Sequence, residues 1–377
     1  MPLVEVPGYR MIRVLGRGGM GTVFLAHKVS TGEPFAIKFL RQDCLEDPAY
    51  LGRFEREIAA LRSIRHPNVV NVYAWSIPKD PESEDRPFVV MEYLDGDGLD
   101  RVLAREKTVS PLQAVRIMLQ ALDGLAAAHA IGVVHRDLGP SNVFLVPRPR
   151  GRFHVKILDF GLARTVTGAL EHESDLTQRG TLMGKPAYVS PEMLTGQAVD
   201  GRCDIYACGV LLFRMLTGCF PYEESESHLL WIERLRGARS LTEYPPPSVL
   251  VPDLPASLDG IIARAMRAKI EDRYPNVEQM QEDLLEVENS LVDEHPSTAD
   301  WSSSRPGIKA FVEPSADVSS RIGVRSRPAE ATPTIDGIPE PRIPRRRRTL
   351  VAATAGAAAV ALVALSAVLY MRLAGRD

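Results

Sequence analysis

A polar loop at residues 135–142 carries the side chains of this sequence best suited to chemistry on a hydroxyl group. The loop follows an Ala-rich amphipathic stretch and precedes the apolar run 143–145, a pattern that predicts a helix, a loop and then a strand. Asp137 could orient and deprotonate a hydroxyl group, and the carbonyl oxygen of Asn142 could bind a hard cation. Asp159 follows the next apolar strand, seventeen residues beyond Asn142. The spacing therefore predicts a site at which a positioned hydroxyl group meets a bound cation.

Two motifs in this region resemble those of the protein kinase superfamily, in which the catalytic loop reads H-R-D-x-x-x-x-N and the metal-binding aspartate begins D-F-G. The first is present as His135-Arg136-Asp137 with Asn142, and the second as Asp159-Phe160-Gly161. A lone His-Arg-Asp would mean little, but both motifs at this separation are a specific signal. The resemblance covers residues 9–290, nearly three quarters of the chain. It implies an α+β, two-lobed protein kinase fold, with a small β-rich N-lobe at 9–94, a larger helical C-lobe at 95–290, and ATP between them.

A glycine-rich segment near the N-terminus matches the pattern G-x-G-x-x-G at Gly16, Gly18 and Gly21. Glycine lets backbone amides approach phosphate oxygens closely, so the segment is a candidate phosphate-binding loop. A dinucleotide-binding loop has the same spacing, but it requires a helix that starts at the third glycine. Here Thr22 and Val23 are β-branched and continue as a strand, which favours the hairpin found in kinases.

Lys38 ends the apolar segment 34–38, which is similar to the V-A-I-K strand of kinases. From the residues alone, the lysine could equally extend its ammonium group to solvent or pair inward. By the resemblance, Lys38 holds the α- and β-phosphates of ATP and pairs with Glu57, on a helix predicted over residues 48–63. Glu55 lies on the same helix and is the alternative partner, although the Arg-Glu sequence before the apolar run favours Glu57.

The strand predicted at residues 88–91 is broken by Glu92 and the residues after it. This pattern is equally consistent with a strand that simply ends in a turn. By the resemblance, the segment is the hinge between the lobes, with Met91 as gatekeeper and the backbone of Glu92 and Leu94 facing adenine. The implied ATP site consists of Leu15, Gly16, Gly18, Gly21, Val23, Ala36, Lys38, Met91, Glu92, Leu94, Asn142 and Asp159, of which Asn142 and Asp159 also hold Mg²⁺ (or Mn²⁺).

Residues 159–192 resemble an activation segment, in which Ser190-Pro191-Glu192 stands for A-P-E. Thr177 and Thr181 are the expected autophosphorylation sites, and Arg136 is the cation expected to bind the added phosphate. The resemblance also implies that Glu192 pairs with Arg273. It further implies that Asp204 opens a buried helix and holds the backbone of the catalytic loop.

Two positions depart from the family pattern. Most Ser/Thr kinases have a lysine two residues after the catalytic aspartate, where this chain has Gly139. Lys185 stands where a threonine normally contacts the catalytic aspartate and that missing lysine. We therefore place Lys185 among the predicted catalytic residues, with Asp137, Lys38 and Glu57, because its ammonium group could occupy the space left at Gly139. The alternative is that the two changes are independent and that Lys185 faces solvent.

The composition places few further limits on function. A net charge of −3 gives no general attraction to nucleic acid, and we expect no nucleic-acid partner. The four cysteines show neither metal-ligand spacing nor a paired framework, so they are expected to be reduced cytosolic thiols. The first seven residues lack a charged segment and a long apolar run, so we expect no signal peptide.

The sequence changes character after the kinase-like region. Residues 291–348 are rich in Pro, Ser and Arg without sustained periodicity, which predicts a disordered juxtamembrane linker. Residues 349–371 predict a transmembrane helix, because the uncharged run 350–371 would be about 33 Å long and a hydrocarbon core is about 30 Å thick. The alternative, an Ala-rich buried helix, is disfavoured by the basic residues that adjoin the run. Four arginines at 345–348 predict a cytoplasmic kinase domain on a single-pass protein of the inner (cell) membrane, with a short extracytoplasmic tail at 372–377.

Together these features indicate a eukaryotic-like Ser/Thr protein kinase of the bacterial, membrane-anchored kind. The implied partners are ATP, protein substrates, the lipid bilayer through the C-terminal helix, and a second copy of the chain for trans-autophosphorylation. The alternative from another class is a pseudokinase that acts as a membrane-anchored ATP-binding scaffold, supported only by the departures at Gly139 and Lys185. Tyrosine specificity is a smaller alternative, because the loop lacks an arginine two residues before Asn142.

Removal of the predicted transmembrane helix should release the protein from membranes. We expect the full chain to sediment with membranes after carbonate extraction and a chain ending at residue 344 to stay in the supernatant, because the apolar run is the segment able to insert into hydrocarbon. Immunoblotting of the two fractions measures the distribution. Release of the full-length protein by carbonate would contradict the predicted span.

Overall fold

The computed structural model describes eight segments of the chain, which together contain eight strands and eight α-helices. Thr177, Thr181 and Lys185 lie outside these segments, as do residues 295–348 of the predicted linker and the predicted transmembrane helix, so what the sequence predicts for them stays a prediction. Among the helices within the segments, none is both long and apolar enough to cross a membrane. The segments are residues 6–18, 21–40, 48–77, 86–149, 152–160, 186–194, 196–221 and 245–294.

The N-terminal part of the protein contains an antiparallel sheet of five strands and one helix. The strand order is β1-β2-β3-β5-β4. Phe54, Ile58 and Leu61 lie on one face of the helix, as their spacing predicts, and are buried in the core. The elements are β1 (Tyr9–Gly18), β2 (Gly21–Lys28), β3 (Pro34–Leu40), α1 (Pro48–Ser63), β4 (Val72–Ser76) and β5 (Phe88–Glu92).

The glycine-rich segment belongs to a β-hairpin. β1 and β2 pair from Tyr9 opposite Lys28 to Gly18 opposite Gly21. Gly21 has φ +146°, and a Cβ atom there would lie 1.8 Å from the carbonyl oxygen of Phe39, so the position requires glycine. Because a strand rather than a helix starts at the third glycine, the dinucleotide-binding arrangement is excluded.

The C-terminal part is mainly helical. One long helix (Pro111–His129) begins at a capping box, which the sequence Ser110-Pro111-Leu112-Gln113 predicts: Ser110 and Gln113 each accept a bond from the other's backbone amide. A second helix (Arg202–Thr217) is buried along nearly its whole length, as its apolar sequence predicts. The elements are β6 (Asp97–Gly98), α2 (Leu99–Glu106), α3 (Pro111–His129), β7 (Val143–Pro147), β8 (Phe153–Ile157), α4 (Pro191–Leu194), α5 (Arg202–Thr217), α6 (Pro247–Leu250), α7 (Ala256–Ala265) and α8 (Val277–Glu294).

The last helix, α8, continues to Glu294, so the prediction that a disordered linker begins at residue 291 is wrong for residues 291–294. It packs against α3 and α7. Buried Leu284 and Val287 lie on its inner face, and Leu291, one turn further, packs against the same core. The apolar repeat therefore extends the helix beyond residue 290, where the kinase-like region was expected to end.

A three-stranded sheet, ordered β6-β7-β8, brings the two motifs of the site side by side. β7 begins directly after Asn142, and β8 ends two residues before Asp159. Val143 pairs with Ile157, and the Leu158 amide donates to the Asn142 carbonyl oxygen at 2.9 Å. The two motifs meet because the strands that flank them form one antiparallel hairpin.

A buried ion pair joins Glu192, at the end of the predicted activation segment, to Arg273, as the resemblance implies. The two terminal nitrogens of Arg273 donate to the two carboxylate oxygens of Glu192 at 2.8 and 2.7 Å. Burial raises the pKa of the Glu192 carboxyl, but the hydrogen bonds and charge of Arg273 outweigh this effect, so the pKa lies below its ordinary value of 4.5. The pair is therefore ionised in the folded protein at neutral pH.

The substitution Arg273→Ala should destabilise the protein strongly at neutral pH and less in acid. It leaves the Glu192 carboxylate buried without the guanidinium, which typically costs about 3–5 kcal/mol. Since the pKa of Glu192 is lowered in the folded state, the pair stabilises the protein above the unfolded pKa, and this contribution is lost as the pH falls through the folded pKa. Urea unfolding of both proteins at neutral pH and near pH 3 measures the two differences. Equal destabilisation at both pH values would contradict the assignment.

Candidate active site

The catalytic loop is held by one buried carboxylate, that of Asp204 on α5. Its two oxygens accept bonds from the backbone amides of His135 and Arg136, each at 2.8 Å, and one oxygen also contacts His129 Nε2 at 2.8 Å. Burial raises the pKa of the Asp204 carboxyl, but the hydrogen bonds from the His129 ring and from the His135 backbone amide outweigh this effect, so the pKa is lowered. The charged carboxylate thus fixes the backbone directly before Asp137, as the resemblance implies.

The loop adopts a backbone conformation that the sequence alone does not favour. Arg136 has φ +59°, in the left-handed region that residues other than glycine seldom occupy. His135 is fully buried; its Nε2 donates to the Leu158 carbonyl oxygen at 2.9 Å, and its Nδ1 accepts from the Asp137 amide at 3.2 Å. Both contacts are satisfied by a neutral ring with its proton on Nε2. His135 therefore ties the catalytic loop to the strand that leads to Asp159.

Asp137 and Asn142 are in direct contact. The side-chain nitrogen of Asn142 donates to the backbone oxygen of Asp137 at 2.7 Å and to its Oδ2 at 3.2 Å. Because this nitrogen faces Asp137, the carbonyl oxygen of the Asn142 side chain is the atom suited to a cation. The same contacts orient the Asp137 carboxylate, which is half-buried.

The ammonium group of Lys38 points into the protein rather than to solvent, which resolves the alternative left open by the sequence. Its Nζ lies 2.8 Å from Oδ2 of Asp159, and Lys38 is 4% exposed. Asp159 also has a positive φ, +49°, and the buried ring of Phe160 packs against His135 with 4.7 Å between ring centroids. The predicted phosphate-binding lysine and the predicted metal ligand are thus adjacent.

Glu57 is half-buried on α1 and lines a cavity together with Arg136 and Phe160. This position is on the side of the helix that faces the catalytic loop. The ion pair between Glu57 and Lys38 that the resemblance implies stays a prediction, since the ion pair described for Lys38 is with Asp159.

Several residues predicted to contact the nucleotide belong to one apolar cluster. Leu145, on β7, joins the same cluster and is 3% exposed. Leu145 belongs to none of the motifs, and its signal in the sequence is its place in the apolar run directly after the catalytic loop. The predicted members are Ala36 and Met91, which pair across β3 and β5, and the half-buried Leu15, Val23 and Leu94.

The side chain of Glu92, at the predicted hinge, is bound by Lys156, another residue that the sequence analysis did not single out. Lys156 Nζ lies 2.8 Å from Glu92 Oε2, and the same oxygen accepts a bond from Asn71 Nδ2 at 3.0 Å. Lys156 is 6% exposed within an apolar strand, the same pattern that made Lys38 a candidate. The hinge contacts with adenine stay a prediction.

Gly139, the first departure from the family pattern, lies against the ring of Tyr188. A Cβ atom at Gly139 would be 3.5 Å from Tyr188 Cδ2, an ordinary van der Waals contact, so a side chain could begin there. Lys185, the second departure, lies outside the described residues. Its predicted approach to Gly139 therefore stays a hypothesis.

Comparison of the chain with known sequences agrees with this geometry. The protein kinase domain family matches residues 9–297. The chain is 38% identical over 281 residues to the Serine/threonine-protein kinase Pkn1 of Myxococcus xanthus, a match that covers 73% of this chain and 38% of Pkn1. It is 32% identical over 289 residues to the Serine/threonine-protein kinase PknB of Mycobacterium tuberculosis, covering 76% of this chain and 44% of PknB. The chain therefore spans less than half the length of these two relatives.

The fold is similar to that of solved kinase domains. The crystal structure of the Mycobacterium tuberculosis PknI kinase domain superposes with a TM-score of 0.57 at 26% sequence identity, over 75% of this chain and 97% of that domain. The β-rich N-lobe and helical C-lobe expected from the sequence are confirmed. With its catalytic loop, its Asp159-Phe160 motif and its buried lysine in mutual contact, the chain belongs to the protein kinase family, and its kinase domain is similar to those of bacterial Ser/Thr kinases.

Proposed function

We propose that this chain transfers the γ-phosphoryl group of ATP to Ser and Thr hydroxyl groups of proteins. The proposal rests mainly on the contacts between four predicted site residues, which form two pairs. Lys38 contacts Asp159, and Asp137 contacts Asn142. The two pairs are joined by the bond from Leu158 to Asn142. The names of the two relatives as Ser/Thr kinases support the same class of acceptor.

The residues of the chain would act mainly by positioning and by neutralising charge. Asp137 would orient the acceptor hydroxyl and take its proton, because its carboxylate is directed by Asn142 and its backbone follows the amides that Asp204 fixes. Lys38 would hold the α- and β-phosphates, and the β1–β2 hairpin with its glycines would cover the triphosphate.

Asn142 and Asp159 fit a site for Mg²⁺ or Mn²⁺. Both supply hard oxygen atoms, and the Asn142 nitrogen is already engaged by Asp137, which leaves the side-chain oxygen for the ion. No group of three or more His, Cys, Asp or Glu side chains suited to a metal occurs in the described segments. Such a group is not required, because Mg²⁺ usually takes one or two protein ligands and completes its shell with water and phosphate oxygens. The ion would neutralise charge on the triphosphate.

Apolar side chains beside the hinge would hold the adenine ring. Ala36, Met91 and Leu145 are buried members of the main hydrophobic core, and the half-buried Leu15 and Val23 pack against it. Apolar side chains of this kind suit a flat apolar base more than a polar ligand. The backbone groups of Glu92 and Leu94 would supply the hydrogen bonds that distinguish adenine from other bases.

A pseudokinase scaffold is less well supported than an active kinase. Its support is the absence of a lysine at Gly139 and the presence of one at Lys185. Against it, the four residues needed for nucleotide, metal and hydroxyl are all present, and they lie in two contacting pairs, Lys38 with Asp159 and Asn142 with Asp137. The only support for tyrosine specificity is the absence of an arginine two residues before Asn142.

We also propose that the chain is a single-pass protein of the inner (cell) membrane with its kinase domain in the cytoplasm. The support is the apolar run at 349–371 beside four arginines in the sequence. On the same basis, two copies held at one membrane would phosphorylate each other at Thr177 and Thr181.

Lys38→Met and Asp137→Asn should each lower phosphotransfer by about 10²-fold or more, because each removes a charge that acts on the reacting groups. The full chain is incubated with [γ-³²P]ATP and casein, and the initial rate of incorporation is measured beside thermal unfolding. Lys269→Met, which replaces an exposed lysine, is the matched control and should keep the wild-type rate. Wild-type turnover in folded Lys38→Met or Asp137→Asn protein would contradict the proposed function.

A double-mutant cycle tests whether Lys185 supplies the charge missing at Gly139. Lys185→Thr should be nearly inactive, and Gly139→Lys with Lys185→Thr should be substantially restored, since a missing cation in a low-dielectric site raises the barrier. The kcat values of the four proteins give the coupling energy. A near-wild-type kcat in Lys185→Thr would show that the compensation hypothesis is wrong.

A further inference from the structure

A buried lysine connects the hinge to the strand that leads to Asp159. Lys156 lies on β8, three residues before Asp159, and is 6% exposed. Its Nζ donates to Glu92 Oε2 at 2.8 Å and to the Val69 carbonyl oxygen at 3.2 Å. One acceptor thus lies at the end of β5, where the hinge begins, and the other lies in the loop before β4.

The Glu92 carboxylate is fixed by more than this one contact. Asn71 donates to Glu92 Oε2 through its side chain at 3.0 Å and through its backbone amide at 3.3 Å. The backbone amide of Glu92 donates in return to the Asn71 carbonyl oxygen at 2.9 Å. The side chain and the backbone of Glu92 are therefore both held at the point where the chain leaves the sheet.

β8, the strand that carries Lys156, is also hydrogen-bonded to the loop that precedes β4. The Ile157 amide donates to the Asn68 carbonyl oxygen at 2.8 Å, and the Val70 amide donates to the Ile157 carbonyl oxygen at 3.0 Å. The loop at residues 68–71 thus bonds to β8 on one side and to Glu92 on the other. Lys156, on β8, contacts both this loop and Glu92 through its one ammonium group.

Stability alone does not account for a charge at this position. Burial of an ammonium group is costly unless it is paired, and replacement of a buried ion pair by apolar residues of similar size often leaves stability unchanged or higher. A charged hydrogen bond differs from apolar packing in that it fixes direction as well as distance. The geometry therefore indicates that the direction of the Glu92 side chain, and of the backbone that carries it, is what Lys156 sets.

We propose that Lys156 and the Glu92 carboxylate form a positioning pair for the nucleotide. The pair holds the backbone of residues 92–94 in the orientation that accepts adenine. It also fixes that orientation relative to β8, the strand that leads to the phosphate and metal site at Asp159. This inference rests on the proposed function, because it concerns the hinge of an ATP site. Neither charged group acts on the transferred phosphoryl group, so its loss affects nucleotide affinity more than the chemical step.

The first measurement is ADP binding to the full chain by isothermal titration calorimetry. Lys156→Met should weaken binding about tenfold and raise the KM for ATP by a similar factor, while kcat falls by less than about threefold. Lys156→Arg keeps a cation in place and should recover most of the lost affinity. Glu92→Gln should weaken binding, and Lys156→Met with Glu92→Gln should be no worse than Lys156→Met alone, because both changes act through one interaction.

Arg116→Met is the matched control for a general loss of stability. It breaks the ion pair between Arg116 and Glu288, which join α3 to α8 at 2.6 Å. This variant should lower the melting temperature without changing ADP affinity. If Lys156→Met does not fold, the ADP affinities of Lys156→Arg and Glu92→Gln are compared with that of the wild type instead.

The possible results distinguish a failure of the positioning role from a failure of the proposed kinase function. ADP affinity equal to wild type in folded Lys156→Met, or in Glu92→Gln if Lys156→Met does not fold, would overturn the positioning role. An equal loss of affinity in Arg116→Met would also overturn it, because the effect would then follow stability. If the wild-type chain binds no ADP, the proposed kinase function itself fails.

Discussion

The Asp204 carboxylate lies 1% exposed in the first turn of α5, and its two oxygens accept the backbone amides of His135 and Arg136. A buried charge is tolerated only when hydrogen bonds replace the water that it has lost. The loop amides and the His129 ring supply those bonds, and in return the backbone at Arg136 is held in a left-handed conformation that it would rarely adopt otherwise. Asp137 is consequently placed by the backbone before it, and a stable buried helix determines where the catalytic carboxylate sits.

Three other contacts in the structure also depend on a buried charge that is paired with a second group. Lys38 with Asp159, Lys156 with Glu92, and Arg273 with Glu192 are ion pairs with at least one nearly buried member, and each joins segments that are distant in the sequence. In each pair the cation is nearly buried, so loss of its carboxylate partner would leave a poorly solvated charge, and each pair therefore favours a single arrangement. Catalysis by positioning needs this property, because fixed charges need not reorganise when the transition state forms.

The features that could be predicted from the sequence are those set by neighbouring residues. The hairpin at Gly21, the capping box at Ser110 and the buried face of α1 each depend on residues only a few positions apart. The partner of Lys156 could not be predicted in this way, because it depends on β8 lying beside the loop that precedes β4. The inward direction of Lys38 was open for the same reason, since solvent and a buried carboxylate are equally compatible with a lysine in an apolar strand.

The backbone amides of His135 and Arg136 allow the most direct test that Asp204 sets the geometry of the catalytic loop. Hydrogen exchange at these two amides is compared between the wild type and Asp204→Asn, with the amides of α3 as the internal reference. The account predicts slow exchange at both amides in the wild type and much faster exchange in the variant, while α3 stays protected. Fast exchange in the wild type, or exchange unchanged by the substitution, would contradict the claim that this carboxylate holds the loop.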